Sequence, residues 1–216
     1  MKPLFQKNQS YFLVIIPYFL VGIVLLFLIN KGDVVIFFSE NRSLFLNQLF
    51  LLANRFGEVY SYLIGFIILL FIKYRYALFL PAVAGLTGVF SGVLKAIFAH
   101  PRPKMWAQGE GVILNYLPDL YVNVGHTSFP SGHTFSSFAI FTYFALVSRS
   151  PILKIVFALM AILGGLARVY LTQHFLQDIL FGGILGIILA VSIYILQGKL
   201  NNDTQKWWNK RISIHR

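Results

Sequence analysis

The sequence contains no cysteine, which excludes disulfides, thiolate metal sites and cysteine nucleophiles together. Charge is also scarce. Asp, Glu, Lys and Arg make up 12% of the 216 residues, about half the share usual in soluble proteins. That is too little to coat a soluble globule of this length. Acids are the scarcest, 7 against 18 Lys plus Arg, for a net charge of +11. No internal repeat is present. What the chain does have is apolar residues at 57% and aromatic residues at 17%, with 22 Phe. This composition excludes disorder, which goes with low hydrophobicity. Length suggests one domain, residues 1–216, and composition makes lipid its main solvent.

A helix crossing a bilayer needs about 20 mostly apolar residues. Tyr11–Asn30 supplies the first span, with Pro17 as a tolerable kink. Its length argues against a cleaved signal peptide. In the mixed segment Lys31–Ser61, Leu44, Phe45, Leu49, Leu52 and Phe56 recur at helical spacing, with Arg42, Asn47 and Asn54 among them. That pattern predicts an interfacial amphipathic helix. It either shapes lateral access for a lipid or only floats at the surface.

A second span ends at Ile72 and begins near Gly57. A third runs from Tyr76 to about His100 and carries Gly85, Gly88, Ser91 and Gly92, small residues that let helices approach closely. Residues 101–130 form a polar, Pro- and Gly-rich loop, long enough to imply a function. Three more spans follow, Ser131–Val147, Ile152–Leu171 and His174–Leu196. A basic tail, residues 197–216, holds Trp207 and Trp208, which suit the headgroup region. The expectation is an all-α, polytopic membrane bundle of six transmembrane helices plus the interfacial helix.

Six spans place both termini on one side. That side holds eleven basic residues (Lys2, Lys7, Lys73, Arg75, Arg149, Lys154, Lys199, Lys206, Lys210, Arg211 and Arg216) and one acid, Asp203. The other side holds seven basic residues and six acids. The positive-inside rule then puts both termini in the cytoplasm, in a cell inner membrane, with loop 101–130 facing outward. Topology accounts for the basic excess, so nucleic acid is not needed as a partner.

Lys95, Arg102, His133, Arg168, His174 and Asp178 sit within or at the ends of apolar spans. Each charge costs roughly 2.5–3.5 kcal/mol near a bilayer centre. The topology brings all six to one outward-facing layer. Snorkelling explains a lone Lys95, but six groups on one level point to a shared site. Pro130-Ser131-Gly132-His133 opens the fourth span, and a helix start bearing Ser and Gly offers free N–H groups to an anion. His174 and Asp178 are four residues apart on a helix, so the carboxylate reaches the imidazole. Such a pair also serves as a buried hydrogen-bonded pair or as two metal ligands. Arg168 and His174 meet only if the chain turns between the last two spans. Three cations and an anion nest suit a phosphate. Two His, one held by a carboxylate, suit phosphoryl transfer through a nucleophile and a separate acid. No carboxylate cluster is present to require a metal.

These residues, in this order, resemble the signature of the type 2 phosphatidic acid phosphatase superfamily, in its membrane-bound branch. Its first part matches Lys95 to Arg102-Pro103, its second Pro130-Ser131-Gly132-His133, and its third Arg168, His174 and Asp178, with all spacings kept over residues 95–178. Ala167 stands where the family usually has Ser, which removes one hydroxyl donor. The resemblance implies a metal-independent lipid phosphatase without cofactors. In it His174 attacks phosphorus, Asp178 holds the imidazole and His133 protonates the leaving oxygen. Lys95, Arg102, Arg168, Ser131 and the Gly132 amide would bind the phosphoryl oxygens. Candidate substrates are phosphatidic acid, phosphatidylglycerol phosphate, undecaprenyl diphosphate and the phosphates of lipid A.

A lipid-linked phosphotransferase would use the same phosphohistidine. An anion transporter would use the same cations, but no inverted repeat supports one. His126 reads as a solvated loop residue and His100 as interfacial. Trp106 and Tyr116 either line a lipid entry or anchor the interface. The sequon Asn41-Arg42-Ser43 lies too near the membrane to mean much. No sequence feature points to a protein partner.

Overall fold

The computed structural model describes residues 4–200 and 207–212. Lys2, Asp203, Lys206 and Arg216, which enter the charge count, lie outside the described residues. The described residues form helices and no strand. In chain order the helices are α1 (Leu4–Lys7), α2 (Gln9–Leu28), α3 (Asp33–Glu40), α4 (Leu44–Asn54), α5 (Val59–Ile72), α6 (Tyr74–Phe98), α7 (Pro103–Glu110), α8 (Gly132–Val147), α9 (Pro151–Tyr170) and α10 (Leu176–Lys199).

The six predicted spans correspond to α2, α5, α6, α8, α9 and α10. Four of these segments are long and apolar enough to cross a membrane: α2, the segment that α6 begins, α9 and α10. The helix α5 has 14 residues and joins α4 through the 3-10 corner Arg55–Gly57 at a bend of 65°. The helix α8 has only 16 residues, twelve of them buried. Its neighbours α6, α9 and α10 enclose it, so it reads as apolar on every face rather than on one stripe.

Local chemistry sets the helix ends. Ser43, Ser131 and Ser150 accept bonds from the N–H groups of Leu46, Thr134 and Leu153, and so cap α4, α8 and α9. Pro103 and Pro151 open α7 and α9. The left-handed Ala99 (φ 43°) ends α6 just before Pro101. Loop 101–130 therefore contains one helix that periodicity did not reveal, because α7 has only eight residues.

The bundle has two ends. At one, Lys154 of α9 donates to the Lys7 carbonyl and the Asn8 amide oxygen, each at 2.5 Å. The tail also lies on the α5–α6 turn there, through Tyr74 N–H to the Lys210 carbonyl at 2.9 Å. The N-terminal segment, the α5–α6 and α8–α9 turns and residues 207–212 thus share this end. The other end gathers the C-terminus of α6, α7, the start of α8, the end of α9 and the start of α10.

Two expectations about packing are corrected. Gly85, Gly88 and Gly92 of α6 do not mediate a close helix contact, since a Cβ at any of them would meet nothing within 4 Å. The tight approach lies at Gly182 and Gly186 of α10. Cβ atoms there would fall 2.7 Å from the Ser131 carbonyl oxygen and 2.6 Å from that of Phe135. Nor does α4 float. It packs on α9, burying Phe50 and Ala53 against Ala167, Tyr170 and Leu171 while Leu44, Phe45 and Leu52 stay exposed. It is amphipathic as predicted, but its polar Asn47 and Asn54 turn inward, to the Tyr170 hydroxyl at 2.5 Å and to Arg168.

Candidate active site

The site is assembled around the start of α8. The Ser131 hydroxyl accepts from the Thr134 amide and hydroxyl, at 3.4 and 2.9 Å. This fixes the first turn and leaves the Gly132 and His133 amides without intrahelical acceptors. Ser131 N–H donates to the Asp178 carbonyl at 3.1 Å, which ties the start of α8 to the start of α10. A Cβ at Gly132 would lie 2.7 Å from Ser91 Oγ and 3.4 Å from Lys95 Nζ, so a larger residue would displace the Ser91 hydroxyl. The same distances place the Lys95 ammonium at the α8 N-terminus, where an anion is favoured.

Arg102 is 6% exposed and held on three sides. Its Nε donates to Thr127 Oγ1 at 3.2 Å, Nη1 to the Gln173 carbonyl at 3.1 Å and Nη2 to the Thr127 carbonyl at 3.3 Å. Arg168, equally buried, donates from Nη1 to Asn54 Oδ1, while its Nε has no partner. After α9 the chain turns through Thr172 (φ 55°), with the Gln173 and His174 N–H groups both on the Arg168 carbonyl at 2.9 and 3.1 Å. This is the turn that the spacing of Arg168 and His174 demands.

His174 is 1% exposed. Its Nδ1 lies 3.4 Å from Asp178 Oδ2 and from Ser128 Oγ. Asp178 Oδ2 also accepts the Ser128 hydroxyl at 2.5 Å and the Phe175 N–H at 2.9 Å, so the carboxylate is fixed before the imidazole reaches it. His174 lies in the connection between α9 and α10, outside the apolar segments. Burial pushes its imidazole below the ordinary range, with Arg168 and Arg102 adding to this and Asp178 opposing it. His174 is therefore neutral at pH 7, with Nε2 free to act as a base or nucleophile.

His133 is half-buried and lies within the fields of Arg168, His174, Lys95 and Arg102. All eight residues singled out in the sequence thus converge on one layer. Among the described residues, the ion pair within 4 Å is His174–Asp178, and no carboxylate lies that close to Lys95, Arg102 or Arg168. No three of His, Asp and Glu converge into a metal-binding group among the described residues.

A groove of about 430 Å³ adjoins this layer, lined by residues of α5, α6 and α8. Lys95 and Gly132 line it together with Ala84, Thr87, Gly88 and Gly92. Gly88 and Gly92 therefore make space for this groove rather than a helix contact, whereas Ser91 is buried against Gly132 of α8. A second groove of about 480 Å³, on the other side of α6 against α10, is lined by Phe90, Leu94, Leu189 and other apolar residues and holds no ionisable group.

Sequence reasoning missed Asn54, Thr127, Ser128 and the Gln173 carbonyl as supports of the site. Only Asn54 and Ser128 carried a signal, a polar residue on an apolar helix and a Ser two residues before Pro130. Trp106 packs against α3 and the start of α10. Its ring fills the space over Gly32, where a Cβ would lie 1.9 Å away, and it meets Phe175 edge-on at 5.6 Å. His126 is exposed, His100 lies against Phe129 at 5.4 Å, and Tyr116 lies under Lys104 at 5.5 Å. Ala167 is fully buried in the apolar contact with α4, so a hydroxyl there would enter the Phe50–Tyr170 cluster.

Residues 75–202 match the model of the PAP2 superfamily. The chain is 30% identical over 134 residues to lipid phosphate phosphatase 2 of Arabidopsis thaliana, covering 51% of this chain and 46% of that protein. It is 34% identical over 88 residues to phosphatidylglycerophosphatase B of Bacillus subtilis, covering 37% and 43%. The chain thus spans less than half the length of these curated relatives. Among solved structures, Aquifex aeolicus LpxE matches with a TM-score of 0.63 at 25% identity, over 76% of this chain and 94% of that one. A Bacillus subtilis transmembrane PAP2-type phosphatidylglycerolphosphate phosphatase matches with a TM-score of 0.62 at 22% identity, over 91% and 98%. More than half of the chain fits the family model, and four of its segments are apolar enough to cross a bilayer. It is an integral membrane protein of the PAP2 superfamily.

Proposed function

We propose that this protein hydrolyses the phosphate ester or diphosphate of a membrane lipid through a phosphohistidine, without a metal. One observation carries the reading: Lys95, Arg102 and Arg168 surround a helix N-terminus and two histidines, and among the described residues no carboxylate lies within 4 Å of any of these three cations. Cations arranged in this way call for an anion, and phosphoryl transfer is mostly positioning and charge stabilisation.

In this reading Asp178 accepts Nδ1–H of His174, which leaves the Nε2 lone pair to attack phosphorus. The bond from phosphorus to the lipid oxygen breaks, and His133, carrying a proton that the charge of the bound phosphate favours, gives it to that oxygen. The lipid product leaves with the phosphoryl group on Nε2. Water then attacks phosphorus while His133 takes its proton, the N–P bond breaks, and inorganic phosphate departs. Lys95, Arg102, Arg168, Ser131 and the Gly132 amide hold the phosphoryl oxygens throughout. The groove between α5 and α6 supports a lipid substrate, since Lys95 and Gly132 share its lining with the apolar or small residues Val59, Ala84 and Gly88. The relatives' names, lipid phosphate phosphatase and phosphatidylglycerophosphatase, support the same class.

The test is free phosphate release by the detergent-purified protein, in EDTA, over lipid monophosphates and diphosphates. The expected result is release undiminished by EDTA, with a preference within the panel. No release above background for any lipid would overturn the reading and bring binding or transfer forward.

The charge asymmetry supports an extracytoplasmic site with cytoplasmic termini. The absence of cysteine makes this directly measurable. A membrane-impermeant maleimide is expected to label H126C in intact cells, and R149C only after permeabilisation. The reverse pattern would invert the orientation.

A further inference from the structure

The buried guanidinium of Arg168 is anchored from outside the signature. Its Nη1 donates to Oδ1 of Asn54, the last residue of α4, and its Nε has no protein partner. The same Asn54 side chain donates from Nδ2 to Glu58 Oε1 at 3.1 Å. An amide has one acceptor end and one donor end. The Glu58 bond therefore fixes which end faces Arg168. Glu58 also acts on Arg168 through its field, yet it makes no ion pair with it within 4 Å.

The corner that carries both residues is seated on the site. Gly57 lies so close to α8 that a Cβ there would fall 2.4 Å from the His133 carbonyl oxygen. No larger residue fits without pushing the corner, and Asn54 and Glu58 with it, away from Arg168.

We infer that Asn54 and Glu58 are positioning residues for phosphate binding: Glu58 orients the Asn54 amide, and the amide carbonyl aims the Arg168 guanidinium without neutralising it. The choice of a neutral acceptor is central. A carboxylate in direct contact would form an ion pair with Arg168 and compete with the incoming phosphate. An amide directs the guanidinium and leaves its full charge for the ligand. The acid stands one residue further back, where it favours the charge on Arg168 without capturing it. Both residues lie outside residues 75–202, so the family match does not reach them.

This inference rests on the reading of Arg168 as a phosphate ligand, and its test separates the two. Full-length N54A, N54D, E58Q, E58A, R168A and N54A/R168A are purified in detergent. For each, kcat, KM, the inhibition constant for inorganic phosphate and the thermal midpoint are measured. N54A is expected to raise KM and the phosphate inhibition constant on the order of tenfold, the loss of one bond to a charged group. The nearly isosteric N54D is expected to bind phosphate more weakly than N54A at an unchanged thermal midpoint, because it adds the competing carboxylate. E58Q keeps an acceptor but loses the charge and the fixed polarity of the bond, so it falls between wild type and E58A, which behaves like N54A. The double variant is no worse than R168A alone, since Asn54 acts through Arg168.

If R168A binds and turns over like wild type, the reading of the site fails. If R168A is impaired while N54A and N54D match wild type, or if N54A and R168A losses simply add, the positioning role fails. N54D binding phosphate as well as wild type would refute the argument for a neutral acceptor.

Discussion

H174A is expected to release phosphate at the background rate, a loss on the order of 10⁴-fold or more, as when a covalent nucleophile is removed. The expectation rests on the geometry of one ring. Asp178 Oδ2 and Ser128 Oγ occupy the Nδ1 side of His174, and only Nε2 is left to face phosphorus. His133 predicts a different signature. Its proposed proton matters only if the leaving oxygen needs one. H133A is therefore expected to fail on lipid alcohols but to retain much of its rate on p-nitrophenyl phosphate, whose phenolate leaves unaided. H174A fails on both. If H174A turns over within tenfold of wild type, the nucleophile has been misassigned. If H133A falls equally on both substrates, its role as a general acid is wrong.

The second large effect is expected at the α8–α10 contact, at Gly182 and Gly186. Cβ atoms at these positions would meet backbone of α8, including the Ser131 and Phe135 carbonyl oxygens and the Ala139 nitrogen. Backbone cannot rotate away as a side chain can. G186A and G182A are each expected to cost about 1–3 kcal/mol through overpacking. They should also lower kcat, because α10 carries Asp178 and the Ser131–Asp178 backbone bond spans the same contact. G85A, G88A and G92A are the controls, with open space at each position and an unchanged thermal midpoint expected. Equal destabilisation in the two sets would contradict the packing described.

The sequence contrast between these two glycine sets explains what was legible and what was not. The glycines of α6 and α10 look alike in composition. Which set faces a helix and which faces lipid depends on the rotation of α6 and α10 about their axes. Both helices are too uniformly apolar for periodicity to fix that rotation. By contrast, Lys95, Arg102, His133, Arg168, His174 and Asp178 were legible because ionisable groups stand out against lipid-like surroundings. The supports were not. Asn54 reads as an ordinary polar residue of an amphipathic helix until the α4–α5 corner folds it onto α9. The Gln173 carbonyl belongs to the backbone and leaves no mark in the sequence. Trp106 suited an interface by type, yet it became a wedge because Gly32 opens a slot for its ring.

The three cations without carboxylate partners have a thermodynamic consequence. Held in one layer, Arg102 and Arg168 buried and Lys95 half-buried, they repel one another, and that repulsion works against the fold. Tight contacts elsewhere, such as α8 on α10, must outweigh that repulsion. A bound anion relieves it, so under the proposed function substrate and inorganic phosphate alike would stabilise the protein by mass action. The same relief opposes the last step of a cycle, because departing phosphate restores the repulsion. In a site made in this way, the speed of turnover is set as much by how easily the product escapes as by how fast its bonds are broken.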